Sequence, residues 1–132
     1  MFAVEGGCSM ARAKSEVVIY HNPACTTSRK VLGMIRDVGV VPRVVEYLKT
    51  PPSRAELLDL LRRMDMTPRQ LLRRRGTPFS ELGLDDPARP DESLIDAILA
   101  HPILMERPVV VGPRAVRLCR PPERVQEVLP AR

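Results

Sequence analysis

The 132-residue chain predicts an α/β domain in which a four-stranded mixed sheet is flanked by helices, with a helical insertion over residues 53–100. Two observations carry this prediction. The first third reads as strand, amphipathic helix, strand, and such a unit implies two parallel strands joined by a right-handed crossover. The last third returns to two valine-rich strands around Gly112-Pro113 and then a helix, the pattern of a hairpin with a closing element. Neither end holds enough strands for a sheet of its own, so the βαβ and ββα pieces share one sheet and the helices between them are inserted.

Val17-Val18-Ile19-Tyr20 is a short buried strand by its β-branched content, and Asn22-Pro23 turns the chain out of it. From Thr27 on, apolar residues at Val31, Leu32, Met34, Ile35 and Val38 form the stripe of a helix that Gly39 stops. Residues 41–47 make the second strand. After the Thr50-Pro51-Pro52 turn, Ser53 and Glu56 form a capping box for a helix over about residues 54–64. Thr67-Pro68 is an N-cap with proline at the first helical position. It predicts a short helix running through Leu71 and Leu72 into Arg73-Arg74-Arg75 and ended by Gly76. Residues 77–90 are irregular. Asp91 caps a helix from Ser93 to Ala100 that Pro102 ends, with His101 as a helix-end residue. Pro108 to Val111 and Ala115 to Leu118 are the hairpin strands, and Pro121-Pro122 open a final helix from Glu123 to Leu129. Together these elements make a thioredoxin-like arrangement, one domain over residues 16–132 behind a disordered extension over residues 1–15, of which residues 1–9 are expected to be dispensable.

Cys25 sits where the first strand hands over to the first helix. Unpaired backbone N–H groups and the positive end of the helix dipole favour an anion there, either a thiolate or a bound oxyanion. His21 lies four residues before it and Arg29 four residues after. Both can supply positive charge, so three features act to depress the thiol pKa below about 8.5. The bland alternative, an inert core thiol beside a solvated arginine, is disfavoured by the order of strand, turn, cysteine and helix. In a C-x-x-C motif the second cysteine would stand at position 28, which is Ser28. An oxidised or adducted Cys25 must therefore be resolved by a distant cysteine or an external thiol.

The chain carries 21 basic and 16 acidic residues for a net charge of +5, but two Phe, two Tyr and no Trp leave little to stack on bases, so nucleic-acid binding is not expected. Arginine outnumbers lysine so heavily that a single arginine is weak evidence; Arg74 and Arg75 are read as surface charge. Three cysteines without ligand spacing and two histidines 80 positions apart argue against a metal site or a tightly bound cofactor. With no stretch of membrane-span length and no signal-peptide core in residues 1–16, the protein is expected to be cytoplasmic, where thiols stay reduced.

Four stretches then resemble one family: HNPACTTSRKVLGMI, YLKTPPSRAEL, LLRRRGTPFSELGL and HPILMERPVVVGPRAVRLCRP. They are similar to the glutaredoxin-coupled arsenate reductases of bacteria, over about residues 16–130. The resemblance implies that Cys25 is the nucleophile, with His21, Ser28 and Arg29 in its catalytic segment. It also implies that Arg73, Arg107 and Arg120 form the oxyanion site and that Pro108, directly before the third strand, is a cis-proline. The chemistry implied is attack of the Cys25 thiolate on arsenate, attack of glutathione as co-substrate on the adduct, and reduction of the mixed disulfide by glutaredoxin. A monomer is expected. The phosphatase-like reductases need Arg at position 31 for their C-x5-R loop, and that residue is Val31. Two departures from the family are Thr26, where Gly or Ser is common, and a chain that ends soon after Leu129-Pro130. The alternative is a thioredoxin-like redox-responsive regulatory protein acting through Cys25; relatives of that kind lack the three arginines.

Overall fold

The computed structural model describes residues 17–130, so the expectations for the extension over residues 1–15 and for Cys8 lie outside the described residues. β1 (Val18–His21) is one of the two central strands of the sheet, paired along both edges. It runs parallel to β2 (Arg43–Glu46), with Val18 opposite Arg43 and His21 opposite Glu46. On its other side it runs antiparallel to β3 (Val109–Val111), with Ile19 opposite Val110 and Tyr20 opposite Val109. β4 (Val116–Leu118) completes the hairpin with β3, giving the order β2-β1-β3-β4.

The two-residue period of the strands divides the core between the faces of this sheet. Val17, Ile19 and Val110 point to the face covered by α1 (Thr26–Asp37), where Val31, Leu32 and Ile35 meet them together with Val125, Val128 and Leu129. Val109 and Val116 point the other way, into a larger core built from α2 (Arg54–Met64), α3 (Pro68–Leu71) and α4 (Asp91–Ala100). Full burial of a residue such as Ile35 is worth about 1.5–3 kcal/mol. The helical insertion thus forms a layer of its own across from α1. Among the described residues no helix is long and apolar enough to cross a membrane.

Both capping boxes form: Ser53 Oγ accepts from Glu56 N while Glu56 Oε1 accepts from Ser53 N, and Thr67 and Gln70 repeat the exchange. Other boundaries differ from those expected. The helix opened by Pro68 ends at Leu71, so Arg73-Arg74-Arg75 is not helical. Leu72 turns extended and bridges to Met105, while Glu106 N donates to the Leu71 carbonyl and Arg73 N to that of Leu104. A cross-chain ladder replaces what would have been the next helical turn. The helix expected to be capped by Asp91 starts one residue earlier in its caps: Pro90 is the N-cap and Asp91 lies in the first turn, where its charge still suits the dipole. His101 is the C-cap of that helix, and a 3₁₀ turn over Pro102–Leu104 follows. The final helix is a 3₁₀ helix over Pro122–Glu127, which directs Val125 into the α1-side core. α1 itself begins at Thr26, which makes Cys25 its N-cap.

Two glycines predict opposite responses to alanine. A Cβ on Gly112 would stand 2.5 Å from the Val128 carbonyl oxygen, which is backbone and cannot swing away. Gly112→Ala is expected to lose about 1–3 kcal/mol as overpacking. Gly33, on α1 with open space where its Cβ would be, is expected to gain roughly 0.5–1 kcal/mol as alanine. Thermal melts of the two variants check this; a Gly112→Ala protein as stable as the parent would contradict the close packing of the β3–β4 turn on the C-terminal segment.

Candidate active site

The turn between β1 and α1 is built from its own short sequence. Asn22 Oδ1 accepts from Ala24 N at 2.9 Å and the Asn22 carbonyl accepts from Cys25 N at 3.0 Å, an Asx-type turn that delivers Cys25 to the helix start. Ser28, fully buried in the first turn of α1, closes the loop from behind. Its Oγ accepts from Asn22 N at 3.1 Å and lies 2.6 Å from His21 Nδ1. Cys25, in extended backbone at φ −96° and ψ 123°, makes no side-chain cap hydrogen bond, so the first-turn N–H groups are free to face its sulfur.

Burial acts to raise the Cys25 pKa, but the Ser28 N–H, the Arg107 guanidinium and the Thr27 N–H outweigh it and bring the thiol below its ordinary value. The cation responsible is not one of the two expected from spacing. Arg29 turns its guanidinium to the Pro23 carbonyl at 2.9 Å and to Thr26 Oγ1 at 3.4 Å on the exposed side of the loop. His21 is pushed down by burial, with Arg36 and Arg29 adding to that shift against Glu46, which disfavours the imidazolium, and the ring serves as a hydrogen-bond partner of Ser28. Spacing along α1 placed Arg29 near Cys25 in sequence, whereas Arg107 arrives from 82 positions away through the β1–β3 pairing.

Arg107 is buried at 9% exposure, and its Nε and Nη1 have no hydrogen-bond partner. Its carbonyl accepts from Arg120 Nη1 at 3.0 Å. The Arg107–Pro108 peptide bond is cis, and so is Arg120–Pro121. Arg73 pairs with Glu106 at 3.0 Å and donates from Nε to the Arg75 carbonyl. Leu72, Arg73, Arg74, Arg75, Glu106 and Arg120 line an open cleft of about 360 Å³. Arg74 stacks over Phe79 at 5.0 Å, and Arg75 lends its carbonyl to Arg73. The three arginines are therefore linked as a chain, with Arg107 at the sulfur, Arg120 on the Arg107 backbone, and Arg73 joined through Glu106. Such a set can take up a tetrahedral oxyanion through charge-assisted hydrogen bonds.

Two contributors were not legible as site residues. Asn22 reads only as a turn former, yet it is buried and organises the whole loop. Tyr47 reads as the end of an aliphatic strand, yet it is fully buried with its hydroxyl donating to the Met105 carbonyl at 3.4 Å. Its one signal in the sequence is an aromatic residue where the strand is otherwise aliphatic. Cys119 is buried, and burial pushes its thiol up to about 12, which removes it as a second reactive thiol.

A cysteine at a helix N-cap beneath a central parallel strand, faced by an X–Pro cis bond at the start of the neighbouring strand, defines a thioredoxin-like protein with a single reactive cysteine in its loop. The model of the ArsC family matches residues 20–128. An arsenate reductase of Rhizobium meliloti (strain 1021) is 60% identical over 114 residues, covering 86% of this chain and 81% of that protein. An arsenate reductase of Escherichia coli (strain K12) is 52% identical over 116 residues, 88% of this chain and 82% of that one. The solved arsenate reductase from Vibrio cholerae superposes with a TM-score of 0.83 at 40% identity, over 87% of this chain and 98% of that one. The chain belongs to the ArsC family.

The two described thiols should separate cleanly on alkylation. Cys25, with its thiol pKa lowered, is expected to react with iodoacetamide in the folded protein, while Cys119 reacts only on unfolding. Residue-resolved mass spectrometry reads this directly. Equal labelling of Cys25 and Cys119 in the folded protein would contradict the site.

Proposed function

We propose that this protein reduces arsenate to arsenite through a Cys25 thiolate–arsenic adduct that glutathione attacks and glutaredoxin regenerates. The observation that carries the proposal is the buried Arg107 guanidinium, without a partner on Nε and Nη1, beside a cysteine whose pKa it helps to lower. One positive group serves two anions in turn, first the thiolate and then the oxyanion that the thiolate attacks. Arsenate is a mono- to dianion with tetrahedral oxygens, and Arg107, Arg120 and Arg73 supply donors suited to it.

The thiolate adds to As(V) and one arsenate oxygen departs as water. The departing arsenate hydroxyl takes up the one proton that Cys25 gave up on ionising, and the proton of glutathione leaves later with arsenite. Glutathione then attacks the adduct; a disulfide forms between its sulfur and Cys25, the two electrons released go to arsenic, and arsenite leaves. Glutaredoxin reduces the mixed disulfide and restores the thiol. An external second thiol is supported by the described residues, where position 28 is a buried, hydrogen-bonded Ser28 and Cys119 is buried with its pKa pushed up to about 12. His21 and Ser28 act by fixing the loop, and Arg29 by tying its rim to the Pro23 carbonyl. On this proposal the protein works as a cytoplasmic monomer, in a compartment where glutathione keeps thiols reduced.

The test is arsenate-dependent NADPH oxidation with glutathione, glutaredoxin and glutathione reductase, and with thioredoxin and its reductase as the control pair. Turnover is expected with the first set only, and none with Cys25→Ser. Arg107→Ala and Arg120→Ala are each expected to lose at least tenfold in kcat/KM, about 1.4 kcal/mol. Arg75→Ala should be near neutral. Turnover in Cys25→Ser, or turnover driven equally by thioredoxin, would overturn the mechanism.

A further inference from the structure

Glu106 is a carboxylate set among arginines, where an incoming anion would meet it. Its Oε1 accepts from Arg73 Nη1 at 3.0 Å, and with side-chain exposures of 18% for Arg73 and 23% for Glu106 this is the least exposed ion pair among the described residues. Its position does not depend on the ion pair itself. Glu106 N donates to the Leu71 carbonyl at 2.8 Å, Arg73 N donates to the Leu104 carbonyl at 2.6 Å, and Leu72 bridges to Met105 between them. Arg73 is held a second time through Nε, which donates to the Arg75 carbonyl at 3.1 Å. The Glu106 side chain is therefore not what keeps Arg73 in place.

Arg73, Arg74, Arg75 and Arg120 line the open cleft of about 360 Å³, and Glu106 is the one acid among its lining residues. In the empty cleft that carboxylate offsets the repulsion among four positive charges. Once an oxyanion arrives, the same carboxylate opposes it in two ways. Two sets of N–H donors on Arg73 are already committed, Nη1 to Glu106 and Nε to Arg75, so an anion that needs the guanidinium fork must take Nη1 from Glu106. The anion also meets Glu106 as a like charge at close range.

We propose that Glu106 is a specificity-determining residue of this cleft, a built-in competitor of the substrate: its carboxylate occupies Arg73 while the cleft is empty, and a tetrahedral oxyanion binds by displacing it. The proposal rests on Arg73 as an oxyanion ligand in the reaction proposed above. Only hydrogen bonds are exchanged in this step. An anion must bring several acceptor oxygens and a full charge to take Arg73 from a carboxylate, which selects tetrahedral oxyanions against anions with fewer acceptors. The exchange also runs in reverse. Arsenite is uncharged near neutral pH and cannot hold Arg73 against Glu106, so the ion pair re-forms as the product leaves.

Glu106→Gln removes the charge at constant side-chain length and leaves the backbone bonds of residue 106 untouched. Titration calorimetry of arsenate, and separately of phosphate, into Cys25→Ser protein reads anion binding where no adduct can form. Adding Glu106→Gln to that protein is expected to tighten both anions about fivefold. Glu106→Ala, which also removes the charge, should show the same gain, and Glu106→Asp, which keeps it, should show none. In the protein with Cys25 intact, KM for arsenate should fall by the same factor while kcat does not rise. A carboxylate that serves to orient Arg73 gives the opposite sign, so weaker binding in Glu106→Gln overturns the proposal. Unchanged affinity in a variant that melts with its parent overturns it as well, as does an equal gain in Glu106→Asp. Absence of binding in every protein overturns it together with the proposed function. A binding gain without glutathione- and glutaredoxin-driven turnover counts against the proposed function alone and leaves the role of Glu106 standing.

Discussion

A positive charge buried without a carboxylate is the constraint around which this molecule is arranged. Taking a guanidinium out of water costs several kcal/mol unless something nearby repays it. At Arg107 the nearby carboxylate, Glu106, is turned to another arginine. What remains beside it is the Cys25 sulfur, whose pKa the guanidinium helps to lower. The cost of burying Arg107 is thus linked to the ionisation of Cys25: each makes the other tolerable, and neither is at home in a neutral core. The fold around them serves to hold that pair in register. β1 and β3 run antiparallel so that the chain entering β3 passes the end of β1, from which Cys25 emerges. Arg120, at the end of β4, clamps the Arg107 carbonyl.

The two cores explain how so small a sheet supports such a site. α1 lies on one face, packed through Val31, Leu32 and Ile35, and its N-terminus is thereby fixed over the end of β1. The inserted helices lie on the other face, and their exit segment, Leu72-Arg73, is stitched to Leu104, Met105 and Glu106 just before Arg107. The insertion therefore does more than bury apolar area. It secures the strand entry that carries the site's main cation, and it adds Arg73 to the cleft beside Arg120.

What the sequence disclosed follows from how far each signal reaches. The βαβ unit, the hairpin and both capping boxes depend on residues within one or two turns of each other, and they formed with boundaries shifted by a residue or two. The end of α3 was not legible, because it is decided by a bridge from Leu72 to Met105, 33 positions on. The same distance problem governs the site. The loop from His21 to Arg29 pointed to Cys25 correctly as a helix N-cap position. It pointed to His21 and Arg29 as the cations because they are close in sequence, while the effective cation comes from the other half of the chain. Family resemblance singled out Arg107 where spacing did not, and nothing local marked Tyr47. The closing element was expected as a helix because Pro121-Pro122 followed by Glu123 suits a helix start; it is wound as a 3₁₀ helix over Pro122–Glu127, and the residue after it, Val128, packs against Gly112 of the β3–β4 turn.

The sealing of Ser28 and Cys119 has one further consequence. Among the described residues, the one other cysteine, Cys119, is fully buried, and position 28 is a serine rather than a resolving cysteine beside Cys25. A protein with a resolving cysteine can park such damage as an internal disulfide and wait. As far as the described residues go, the sulfenic acid has two exits, capture by a small thiol from solution or further oxidation to the sulfinic acid, which ordinary thiols do not reverse. The survival of Cys25 under peroxide is then a race between two bimolecular reactions, in which the concentration of free thiol around the protein weighs against that of the oxidant.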